Sequence, residues 1–231
     1  VYRNVASAPQ ALLLDSVTII GSEIDGLYAV LDPNQPGHIS IANSKFIDNE
    51  GYGIYVPSDP LLTSFSVTNS VIAGNYHSGL YVADQFYQGG DVLVEGCAVI
   101  GNGYGRYASN QFGLDLPNSP PTVVGNTIAY NAGIGLAYWD IDSIQQTVVA
   151  NNIMYRNGDY GLFAGSSGDY LLAANAIWEN GDQEVRVESP SGRLYTVEEI
   201  QALGGEYATN LHVDPGFSPE RIGQIDYLQY D

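Results

Sequence analysis

Positive charge is scarce in this sequence. Lys and Arg together number seven, Lys45 is the single lysine, and 26 Asp and Glu bring the formal net charge to −19. Nucleic acid is thereby excluded as a partner, because phosphate binding needs clusters of Lys and Arg. A surface of one sign fits an extracellular or high-salt setting, cation binding, or solubility alone. Cysteine is limited to Cys97, so no intrachain disulfide can form. No apolar run reaches the ~18 residues a membrane span needs. Val1 does not open the charged segment and apolar core of a signal peptide. The expectation is an extracellular or cell-surface protein without membrane insertion, working as a monomer and with no signal peptide in this chain.

What is abundant points to strands and tight turns. Apolar residues make up 45%, with 27 Gly and 18 Tyr. Asparagine recurs at Asn49, Asn75, Asn102, Asn131, Asn157 and Asn180, at intervals of 26, 27, 29, 26 and 23 residues. Such a period is the mark of a solenoid. An apolar residue sits three positions before each Asn, and usually a Gly four positions after it opens a short apolar strand. One coil reads Phe65-Ser66-Val67-Thr68, Asn69-Ser70, Val71-Ile72-Ala73-Gly74-Asn75, then Gly79-Leu80-Tyr81-Val82. Alternation of period two assigns Leu80 and Val82 to one face and Tyr81 to the other. Three strands and three turns per coil close a triangular ring, and rings stack in parallel ~4.8 Å apart. Roughly five apolar side chains point inward per ring, at about 1.5–3 kcal/mol each before entropy.

The columns of the repeat agree. Five positions before the recurring Asn stand Ser44, Ser70, Cys97, Asn126, Asn152 and Asn175; one earlier stand Asn43, Asn69, Gly96, Gly125, Asn151 and Ala174. Asn and Gly suit a sharp corner because they tolerate positive φ. Buried Asn side chains can bond from coil to coil as a ladder. Cys97 falls in the small inward column and reads as buried filler, since a catalytic thiol would want a basic partner.

This pattern, over about Leu12 to Val187, resembles the right-handed parallel β-helix family shared by pectate lyases, polygalacturonases, alginate lyases and mannuronan epimerases. The fold expected is all-β: a right-handed single-stranded parallel β-helix of about seven coils, residues 1–189, followed by a C-terminal capping segment, 190–231. Within that cap, Thr196 to Gly204 reads as a short helix with a Thr cap, acids in its first turn and Gly at its stop.

The resemblance implies a site on the outer face of one sheet. The sheet opened by Gly carries the outward column Tyr28, Tyr55, Tyr81, Asp115, Ala137, Phe163 and Arg186. Aromatic faces stack on sugar rings, and Tyr adds a hydroxyl; a plain stack of β-formers stabilising the sheet is the alternative. The coil of Asn102 breaks the rule: Gly103 to Ser109 are extra, a loop at the rim of that sheet. Stacking gathers His77, Tyr81, Arg106, Tyr107 and Asp115. His77 or Tyr81 could act as base and acid, and Arg106 could neutralise a uronate carboxylate. Phe112-Gly113-Leu114-Asp115-Leu116-Pro117 resembles the catalytic strand of mannuronan epimerases, without the His that follows there.

A second column, Asp84 and Asp140 with Asp142 close by, stacks acids that repel. Bound Ca²⁺ would relieve this; exposed, solvated carboxylates are the alternative. Tyr138 and Trp139 beside it suggest a glycan groove. The expectation is a carbohydrate-active β-helix acting on or binding a polysaccharide, lyase- or epimerase-like by resemblance, with Ca²⁺ as candidate cofactor. The competing reading is a non-catalytic glycan-binding, adhesive or structural module of a larger extracellular protein.

Overall fold

A computed structural model describes residues 10–31, 36–57, 61–83, 91–105, 111–117, 121–140, 146–166, 170–181, 183–187 and 193–216. Every third strand pairs with its counterpart one coil on, so the chain winds three parallel sheets. The first sheet holds Gln10–Asp15, Gly37–Ala42, Leu62–Thr68, Asp91–Glu95, Pro121–Val124, Thr147–Ala150 and Tyr170–Ala173; the second holds Thr18–Ile20, Lys45–Ile47, Val71–Ala73, Ala98–Ile100, Thr127–Ala129, Ile153–Tyr155 and Ala176–Trp178. The third runs through Leu27–Tyr28, Ile54–Val56, Leu80–Val82, Leu114–Pro117, Leu136–Asp140, Tyr160–Ser166 and Gln183–Val187, and Arg193–Tyr195 closes it in antiparallel pairing. The expected all-β parallel solenoid is the architecture found.

The corners explain why the coils repeat. Between the first and second sheets, one residue per coil has positive φ: Ser16, Asn43, Asn69, Gly96, Gly125, Asn151 and Ala174. The second corner has its own column, not foreseen in the sequence: Gly21, Asp48, Gly74, Gly101, Tyr130, Arg156 and Glu179. Tyr130, Arg156 and Glu179 carry the cost of the left-handed conformation because the stacked ring dictates it.

Next to most of these left-handed residues, an inward asparagine amide binds the coils together. Nδ2 of Asn49 donates to Oδ1 of Asn75 (2.7 Å), and the relay continues through Asn102, Asn131, Asn157 and Asn180 at 2.8 to 3.0 Å. Each Oδ1 also accepts the backbone N–H of the Asn before it, while Nδ2 of Asn102 also reaches the Ile72 carbonyl. All four hydrogen-bonding capacities of an interior amide are thus used, which is what makes its burial affordable. The ladder starts from the backbone of Ser22 and ends where Asn180 donates to Glu184 Oε2 (2.7 Å). A second ladder runs from Asn126 through Asn152 and Asn175 to Asn210, preceded by the hydroxyls of Ser44 and Ser70 and by Cys97.

Between the ladders lies the core. Phe46, Ile72, Val99, Ile128, Met154 and Ile177, the apolar residues three positions before each Asn, are buried. At the C-terminal end the helix Val197–Gln201 presses Val197 and Ile200 onto the same core. Its Thr196 Oγ1 accepts the Glu199 N–H and Glu199 Oε2 accepts the Thr196 N–H, a complete capping box. The helix stops at Gln201, earlier than the Gly204 stop read from the sequence, and Gly204 holds positive φ just beyond it.

Candidate functional site

The third sheet presents the expected outer column in continuous register: Tyr28, Tyr55, Tyr81, Asp115, Ala137, Phe163 and Arg186 pair one to the next. The strand opens at Gly for a steric reason. A Cβ on Gly53 would lie 2.6 Å from the Gly79 carbonyl and 2.7 Å from Nδ2 of Asn75. The glycine column therefore exists to admit the asparagine ladder, and the residues after it inherit a fixed alternation.

On this face the rings meet. Tyr28 packs edge-on to Tyr55 (5.2 Å between centroids), and Tyr55 stacks on Tyr81 at 5.4 Å. Tyr52, which the sequence reading did not single out, stacks on both Tyr55 (5.0 Å) and Tyr81 (5.5 Å) and touches the ring of His77 at 5.2 Å. It lies one position before Gly53, where the next coil has the small, buried Ser78. Its backbone N–H donates to Oδ1 of Asp25 (2.8 Å). Burial, then the neighbouring Tyr81 and Tyr55 hydroxyls, then the Asp115 and Asp25 carboxylates push the Tyr52 phenol up to about 12. Burial first, then Tyr28 and Asp25, also raise Tyr55. These phenols stay protonated at neutral pH and offer both hydrogen-bond donation and acceptance.

Tyr28 is 53% exposed, Tyr55 and Tyr81 are half-buried, and Asp115 is buried at the end of the tyrosine run. His77 stands beside the run, its buried Nδ1 without a hydrogen-bond partner among the described residues. The described start of the inserted loop touches the coils on both sides: Gly105 donates to the Tyr76 carbonyl of the preceding coil, and the exposed Tyr104 donates to the Tyr130 carbonyl of the following one at 2.8 Å.

Tyr138 is a correction. Expected to line a surface groove, it is 0% exposed, paired with Leu116 and Ala164, both buried. It follows outward Ala137 by one position, so strand alternation turns it inward, where the small Ala164 leaves room for its ring. Trp139 and Asp140 continue the same strand, opposite Gly165 and Ser166. Arg106, Tyr107, Asp84 and Asp142 lie outside the described residues. Among the described residues no group of three His, Cys, Asp or Glu could hold a metal ion. Cys97 is buried as expected, and burial pushes its thiol up to about 11.

No match was found among curated proteins or among solved structures. A family model described as the right-handed beta helix region matches residues 6–177. That span takes in the first sheet whole, the second up to Ile177 and the third up to Ser166, the two asparagine ladders up to Asn157 and Asn175, and the tyrosine-bearing face from Tyr28 to Asp115. The chain belongs to the right-handed β-helix family.

Proposed function

We propose that this protein binds a polysaccharide along the outer face of its third sheet. The observation that carries this reading is the run of Tyr28, Tyr55, Tyr81 and Tyr52, four rings in contact across three stacked strands of one rigid face. Strands spaced ~4.8 Å apart make an extended platform suited to a chain ligand, with phenol hydroxyls at its edges. A scaffold whose backbone groups are tied by two side-chain ladders pre-organises those rings, which lowers the cost of binding. A panel of soluble oligosaccharides titrated calorimetrically tests it. Binding that Tyr55→Ala and Tyr81→Ala each weaken by about tenfold supports the platform; no binding to any member removes it.

A second reading is supported by His77, whose buried Nδ1 lacks a hydrogen-bond partner among the described residues while its ring touches Tyr52. In that reading the protein is a lyase or epimerase, with His77 or Tyr81 moving the proton and Asp115 beside them. Formation of unsaturated product from alginate, pectin or glycosaminoglycans, followed by absorbance, tests the lyase; a flat trace for all of them removes it. Epimerisation is read separately by NMR of the treated polymer.

A further inference from the structure

We infer that the tyrosine face selects glycans bearing amines, of the glucosamine type, over uronates; this rests on the polysaccharide-binding reading above. The tyrosines are bracketed by carboxylates. Asp25 lies on the coil of Tyr28 and accepts the Tyr52 N–H, and Asp115 follows Tyr81 in the same column one strand on. Both carboxylates are near enough to Tyr52 for their charge to be felt at its hydroxyl. Exposed Glu23 and Glu50 stand on the adjoining turns of the first two coils.

The described cations are elsewhere. Lys45 is on the second sheet, Arg156 is at the second corner, 2.7 Å from Glu179, and Arg193 is on the strand that closes the third sheet at its far end, paired with Val187. Arg186 shares the outer column but lies three strands beyond Asp115, over Phe163 and Tyr160. Recognition of a polyuronate needs cationic hydrogen-bond donors aimed at its carboxylates. Among the described residues the charges around the tyrosines have the opposite sign, on a chain of net charge −19. An ammonium group gains on this face twice: from the field of the carboxylates beneath and beside the rings, and from the negative faces and hydroxyl oxygens of the tyrosines. The same features repel a uronate.

The test compares a short glucosamine oligosaccharide, its N-acetylated counterpart and an oligogalacturonate of equal length by calorimetry on the whole chain. The expected order is glucosamine oligomer first, about tenfold tighter than the acetylated form, with the uronate weakest. Asp115→Asn, close to isosteric, should remove most of that preference while Glu206→Gln, an exposed acid on the cap, leaves it intact; circular dichroism checks that both variants are folded. Equal loss in the two variants would mean attraction to net charge alone and would overturn the inference. Equal binding of the two amino-sugar forms, or a preference for the uronate, would also overturn it while leaving polysaccharide binding standing. Binding of none of the three, nor of any neutral oligosaccharide, would instead remove the reading on which it rests.

Discussion

Nδ2 of Asn175 donates to Oδ1 of Asn210 at 2.9 Å, across 35 residues of sequence, and so carries the second ladder out of the solenoid and into the cap. The Asn175 backbone N–H donates to the same oxygen, and Nδ2 of Asn210 reaches the carbonyls of Leu172 and Tyr207. The cap is therefore hydrogen-bonded to the last coil as one more rung. Asn210→Ala strips the acceptor from two buried donors at once. The expected loss is about 2–4 kcal/mol, read as a lower urea midpoint with unchanged slope. Thr196→Ala, which breaks only the capping box, should cost about 1 kcal/mol. An unchanged midpoint for Asn210→Ala would mean that the cap unfolds independently of the coils.

Two glycines separate close approach from backbone conformation. Gly53 has ordinary φ, yet its added Cβ would meet the Gly79 carbonyl, Nδ2 of Asn75 and Cγ2 of Ile72 within 2.7 Å. Gly21 has φ of +65° and nothing within 4 Å. Gly53→Ala should cost about 3 kcal/mol or more, through overpacking and a disturbed ladder. Gly21→Ala should cost about 1–2 kcal/mol, the left-handed penalty alone. Thermal unfolding of both variants gives the order, and the reverse order would refute the account of the glycine column.

Cys97 offers a probe of the interior. Its Sγ lies 3.3 Å from the Glu95 carbonyl, and burial pushes the thiol up to about 11. In mildly alkaline buffer the thiolate fraction stays small and the sulfur inaccessible. Labelling by a thiol reagent should proceed only as fast as the coil opens, and should become complete in urea. Rapid stoichiometric labelling of the native protein would show that this coil is open to solvent.

Much of this was legible in the sequence, and for a physical reason: every coil solves the same steric problem, so the solution is written many times. The ladder residues, the left-handed column at Asn43 and Asn69, and the inward Cys97 could all be read by stacking segments. The inward turn of Tyr138 is legible too, since it follows outward Ala137 by one position; its neighbour Trp139 is what suggests a surface groove there. Asn210 was hidden because it continues the ladder from the cap, outside the repeat's spacing. The second corner was hidden because Tyr130, Arg156 and Glu179 are not residues that ordinarily announce positive φ. Tyr52 was missed because it precedes the glycine, a position held by Asp25 and Ser78 in the adjacent coils, so only the folded rings reveal its contacts with Tyr55, Tyr81 and His77.

Acid should loosen the cap. The helix backbone N–H first, then the bond from His212 Nδ1 to Oε1 (2.6 Å), hold the Glu198 carboxyl below its ordinary 4.5. A carboxylate with a lowered folded pKa stabilises fully above its unfolded value and loses that contribution as pH falls through the folded one. Glu198 is exposed, so the contribution should stay within about 1 kcal/mol. The difference in unfolding temperature between the parent and Glu198→Gln should therefore be present at neutral pH and vanish as pH drops well below 4.5. A difference that grows on acidification would contradict this.

The asparagine relay also makes the molecule a ruler. Each interior rung accepts from the one before and donates to the one after in the same way, so a coil inserted or deleted in frame leaves no new orphaned amide. The departures lie at the ends: Ser22 before the first ladder and Glu184 after it, and Ser44, Ser70 and Cys97 before the second with Asn210 after it. Gene duplication of a single coil would lengthen the molecule by one strand spacing and leave its ends unchanged. Reach, in such a protein, can be adjusted in steps without redesigning the material from which it is made.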